Sequence, residues 1–180
     1  MEELKELKER LEHSRPETWE ALPDISLYMD QLIGYMPRQL IQYREGEALT
    51  SAMVNNYIKG GLLPRAEGKR YDRRHLAYLT EICTLKQVLP VPDAGTLAAV
   101  QEGREVAESY EEFRSALDLA LKETAGRLDA EAGEEDLPRL ALELALRSYA
   151  DKLACQRVLD LIRAQEPRDE GKTKKKRKEK

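Results

Sequence analysis

Apolar residues recur three and four positions apart along most of the chain, a period that predicts helices. Leu4, Leu7 and Leu11 mark the first, over residues 2 to 13. Pro16 and Pro23 bracket a connector holding Trp19, the only tryptophan, which is expected to plug a gap in the core. Asp24 is then the expected N-cap of a helix of about three turns, with Ile25, Tyr28, Leu32, Ile33 and Met36 on one face and Pro37 at its end.

A polar loop over 44–49, containing Gly46, leads to Thr50. Thr50 caps a short helix with Met53, Val54, Tyr57 and Ile58 on its core face and Ser51, Asn55, Asn56 and Lys59 on the other. Gly60-Gly61 stops it. Between Pro64 and Tyr71 the segment RAEGKR is short and polar, and Gly68 sits where a reversal would need it, so a small hairpin or wing is expected. A further helix begins near Asp72, with Leu76, Leu79, Ile82, Cys83 and Lys86 in register, and ends before Pro90. Val91-Pro92-Asp93 opens a short helix that turns Leu97 and Val100 inward. Residues 104 to 128 form a long amphipathic helix with an acidic outer face, carried by Val106, Tyr110, Phe113, Leu117, Leu121 and Leu128. The last helix, Leu137 to Ile162, is apolar on more than one side and needs partners on several sides, from other helices or a second subunit.

Composition agrees with an all-α fold, because Val, Ile and Thr are thinly spread among Leu, Ala, Glu, Lys and Arg. Of the 180 residues 36% are charged, against roughly 25% in an average globular protein, and the net charge is -4. Residues 168–180 hold eight Lys or Arg and three acidic residues, so this end is +5 and the remainder -9. With no apolar residue after Pro167, a disordered basic tail is expected at 167–180, either solubilising or adding salt-sensitive affinity for a polyanion. The expected organisation is an N-terminal helix and connector at 1–21, a central domain at 22–103, a C-terminal helical pair at 104–166, and the tail. Two cysteines, no long apolar run and a start of mixed charge point to a cytoplasmic protein with reduced thiols and no membrane association.

Candidate chemistry is sparse. His13 and His75 lack ligand or triad spacing, and no phosphate loop or nucleophile elbow appears. His75 and Cys83 lie about two turns apart on one helix, too far for shared coordination. Neither an enzyme nor a cofactor nor a metal site is expected. Residues 50–75 are different: Lys59, Arg65, Lys69, Arg70, Arg73 and Arg74 stand against Glu67 and Asp72, a local +4 in an acidic body. A helix entering the major groove needs short polar side chains, and an asparagine can pair bidentately with adenine, so Ser51, Asn55, Asn56 and Lys59 are the candidate groove contacts. Arg65, Lys69 and Arg70 would grip phosphates, extended by Arg73 and Arg74, with Tyr71 packed beneath.

These residues also carry a resemblance. MVNNYIKGGLLP followed by GKRYDRRHLAYL resembles the MerR pattern of recognition helix, Gly-Leu-Leu turn, Arg-containing wing, Tyr and helix, with Asn55-Asn56 in place of the usual Arg-Tyr pair. PDISLYMDQ, LTSAMVNNYIKGGLLP, KRYDRRHL and LKQVLPV together resemble a bacterial family of unknown function, DUF1836, over about residues 22 to 165. The resemblance implies a MerR-like winged helix-turn-helix with a small β wing, and a transcriptional regulator that binds DNA; a homodimer is expected because one small basic module gives little specificity alone. The alternative is a non-enzymatic module that keeps this scaffold and binds a protein partner, which the acidic helix at 104–128 favours.

Overall fold

A computed structural model of the protein describes residues 2–41, 48–100, 103–129, 131 and 133–165, without the side chains of 98–100. The loop around Gly46, the inward placing of Val100 and the basic tail of 167–180 lie outside them. Seven α-helices make up the fold of the described residues, with no β-strand among them.

The central helix is α4, Arg73–Leu85. Asp72 caps it by accepting from the amides of Arg74 (3.1 Å) and His75 (3.3 Å), and its own amide donates to His75 Nδ1 at 3.0 Å. Buried residues run from His75 to Cys83 around its circumference, so α4 is covered on several sides. Its neighbours are a 3-10 turn at Met36–Gln39, the helix α5 at Val91–Val100 and the helix α6 at Val106–Ala125. Two small helices, α2 (Met29–Tyr35) and α3 (Ser51–Lys59), pack on each other. Their Leu32, Val54 and Tyr57 join Leu63, Tyr71, Leu76 and Leu79 in one core that also takes in Tyr110 of α6. The Tyr110 hydroxyl donates to Glu17 O at 3.0 Å, tying the connector to this core, and Trp19 meets its ring edge-on at 6.4 Å.

The first helix, α1 (Glu2–His13), buries no residue fully, yet it docks on α6. Lys8 Nζ donates to Leu128 O at 3.1 Å, and Arg15 Nε to Asp118 at 2.6 Å. The last, α7 (Leu137–Gln165), packs on α5. Leu140, Leu144, Leu159 and Ile162 supply its inner face, with Leu159 buried, and Arg163 reaches Asp93 at 2.5 Å.

Two expectations are corrected. The small β wing is absent among the described residues: Glu67 and Arg70 form one isolated bridge across a two-residue turn, and Tyr71 bridges Leu27 instead. Only three residues separate Pro64 from Gly68, which leaves no length for a ladder on that side. The second helix starts at Met29, with Tyr28 as its N-cap, because Leu27 is held extended by two 2.8 Å hydrogen bonds to Tyr71. The helical face expected over residues 24–28 is therefore not formed: Leu27 is buried, whereas Ile25 is 71% exposed and Tyr28 47%, outside the core expected of them.

Candidate nucleic-acid interface

The candidate groove contacts lie on α3. Thr50 caps it, its hydroxyl accepting from the Met53 amide at 3.2 Å, and Val54 and Tyr57 are buried while Met53 and Ile58 are half-buried. That orientation leaves Ser51, Asn55 and Lys59 exposed at four-residue spacing, with Asn56 exposed beside them. Asn56 also lines the open cleft between α3 and the start of α5. No acidic residue lies on the helix. Gly60 and Gly61 end it, the latter at φ +75°, and the amides of Leu62 and Leu63 fold back on Tyr57 O at 2.9 and 3.3 Å. Leu63 is thereby buried, which anchors the basic segment that follows next to α3.

That segment reverses at Gly68 (φ 56°) and Lys69 (φ 64°), with the Arg70 amide donating to Glu67 O at 3.0 Å. Two successive positive φ angles are the geometry of a type I′ turn, in which Lys69 projects from the tip. Arg65, Lys69 and Arg70 are exposed as expected. Arg70 is positioned: one guanidinium nitrogen donates to the Tyr28 hydroxyl at 2.8 Å, and Cζ lies 4.6 Å from the Tyr28 ring centroid. No ion pair is found for Lys59, Arg65, Lys69 or Arg70 among the described residues.

The other two candidates are placed differently. Arg73 is mostly buried, pairs with Asp24 at 3.3 Å and has its guanidinium 5.5 Å from the Trp19 ring centroid, so it fastens the connector to α4. Arg74 is half-exposed but closes on Asp72 through Nε at 2.8 Å and Nη2 at 2.6 Å. Burial pushes the Asp72 carboxyl up, but the hydrogen bonds and charges of Arg74 and His75 outweigh it and hold it below its usual range. The cationic surface therefore centres on Lys59, Arg65, Lys69 and Arg70, with Tyr71 buried beneath and edge-on to His75 at 5.3 Å.

Sequence reasoning missed Tyr28, whose ring and hydroxyl fix Arg70; the Leu27–Tyr71 bridge that turns it outward joins distant parts of the chain, and no local pattern signals it. Chemically, the surface offers amide and hydroxyl groups that can read a polar edge, beside ammonium and guanidinium groups suited to phosphate. No group of three or more His, Cys, Asp or Glu able to hold a metal occurs among the described residues, and no helix among them is long and apolar enough to cross a membrane. A family model with the description Domain of unknown function (DUF1836) matches residues 17–115, from the connector through the first half of α6. The match stops short of α7, which the resemblance had been expected to include. Neither a curated protein nor a solved structure matches the chain.

Proposed function

We propose, for this chain that belongs to the family described as Domain of unknown function (DUF1836), a role as a DNA-binding transcriptional regulator with a MerR-like helix-turn-helix. The observation that carries this reading is the acid-free outer face of α3 set beside a turn of unpaired cations. In the proposed complex Asn55 and Asn56 contact base edges in the major groove, with Ser51 and Lys59 at its margin. Arg65, Lys69 and Arg70 hold phosphates, Arg70 with its side chain already oriented by Tyr28. Arg73 and Arg74, engaged by Asp24 and Asp72, act by fixing the start of α4.

A single module of this size has little specificity, and a second copy supplies it. Leu142, Leu146, Tyr149 and Leu153 of α7 stand at 4-3-4 spacing, exposed by 60, 58, 63 and 49%, on the side opposite the packed face. Two such stripes pair antiparallel with Ala145 opposite Lys152 and Ala150 opposite Glu143; a parallel pair would set Lys152 against Arg157. Sedimentation of wild type as a dimer, and of Leu146→Ser with Leu153→Ser as a folded monomer, is expected. A wild-type monomer transfers the stripe to the second reading, a protein-interaction module, which this exposed face favours.

The groove assignment is tested by equilibrium binding of the best duplex. Asn55→Ala with Asn56→Ala should lose about 1–3 kcal/mol per bidentate contact on that duplex and little on unrelated DNA. Arg70→Ala should weaken all sequences alike and lower the salt slope by about one unit. Unchanged affinity in the double asparagine variant would remove α3 from the groove.

A further inference from the structure

Away from that surface, α4 carries a carboxyl that the fold leaves unanswered. Glu81 is 5% exposed, and no hydrogen bond or ion pair is found for it among the described residues. It sits on α4 between Tyr78, Ile82 and Leu85, at the spacing of one helical face, and that face borders a cavity of 350 Å³ lined on its other sides by Ala94, Phe113 and Ile162. A second cavity, of 410 Å³, lies beyond it toward α7, and Leu85 and Leu97 line both. Each is of a size that takes a small organic ligand.

A carboxyl at 5% exposure with no partner on the protein is costly, and a site of this kind is satisfied by an arriving group of opposite charge. We propose that this cavity binds an organic ammonium ion with an apolar tail, the head seated on Glu81 between the rings of Tyr78 and Phe113 and the tail running past Leu85 and Leu97 toward α7. The aromatic rings suit a cation, which their negative faces attract, and Leu85, Leu97 and Ile162 give the same cavity an apolar side for the tail. The charges around Glu81 do not compete. Arg104 at the rim is engaged by both oxygens of Glu112, at 2.8 and 2.5 Å, and α5 and α7 present only Ala94, Leu97 and Ile162 to this cavity. The opposite ligand sign has its own test, because Arg127, Arg147 and Lys152 edge the second cavity beside Asp151, with Arg127 also 3.8 Å from Glu123. The inference is independent of the DNA reading.

Calorimetric titration of the full chain with octyltrimethylammonium, octanoate and octanol, which share one tail, separates the terms. The ammonium is expected to bind at least tenfold more tightly than the other two. At pH 7 its binding should expel a proton from Glu81, seen as heat that depends on the buffer's ionisation enthalpy. Glu81→Gln, checked for folding by circular dichroism, should lose at least tenfold in ammonium affinity together with the buffer dependence. Leu97→Trp, which fills the apolar side of the cavity and leaves the carboxyl in place, should weaken binding as well, so the site is tested even if Glu81→Gln does not fold. Equal binding of octanoate or octanol by wild type, or ammonium binding indifferent to both substitutions, would overturn the proposal.

Discussion

Replacing Glu81 by Gln should stabilise the protein, by an amount that grows with pH. Burial pushes the Glu81 carboxyl from 4.5 up to about 7. Below pH 4.5 the group is protonated whether the chain is folded or unfolded, and it contributes no pH dependence. As pH rises from 4.5 to 7 the unfolded chain ionises while the folded one holds its proton, so stability is lost progressively; above 7 the loss is complete. At 1.36 kcal/mol per unit the total is about 3 kcal/mol. The amide resembles the protonated acid in size and hydrogen-bonding capacity, so Glu81→Gln should match wild type near pH 4 and exceed it by about 3 kcal/mol at pH 8. For a chain of this length that is a rise in midpoint of roughly 6–12 °C. Thermal melts of both proteins at half-unit steps between pH 4 and 8, in the absence of ligand, provide the measurement. A difference that does not change with pH, or that favours wild type at pH 8, would refute the claim that this carboxyl is buried without a partner.

Other consequences concern the packing that positions the proposed interface. Gly61→Ala places a side chain at φ +75°, and should cost about 1–2 kcal/mol in urea unfolding by straining the turn that buries Leu63. Leu79→Ala empties a fully buried site on α4 and should cost about 2–5 kcal/mol in the same assay. Tyr110→Phe removes the hydroxyl that donates to Glu17 O, and a loss of about 1 kcal/mol is expected.

Long helices were legible in the sequence because each buries one face over several turns. The period of Val106, Tyr110 and Phe113 reports α6, and the breadth of apolar residues on α7 reports a helix with two apolar faces. The stretch ISLY was not legible in the same way. Ile25 and Tyr28 fit a helical face by spacing, but a bridge to Tyr71, far along the chain, holds Leu27 and Tyr28 extended, and local spacing carries no trace of it. The wing failed for a related reason: Gly68 marks the reversal, whereas strand formation depends on the length of chain that can pair on either side. Within the candidate site, exposure of Asn55, Asn56 and Lys59 followed from the amphipathic pattern of α3. The removal of Arg73 from the free cations did not, since Asp24 and Trp19 reach it only through the tertiary fold, whereas Arg74 is held by Asp72, two residues away. Glu81 is hidden similarly, because a helix covered on several sides buries a polar residue that an amphipathic pattern assigns to solvent.

The account rests most heavily on α3 reading DNA, and selection from a random duplex pool by the full chain at about 150 mM salt tests it directly, since purely electrostatic binding is suppressed there. The account predicts an enriched motif, arranged as an inverted repeat if two copies bind through α7, whose enrichment disappears when Asn55 and Asn56 are both replaced by Ala. A pool that emerges without any enriched sequence would contradict it.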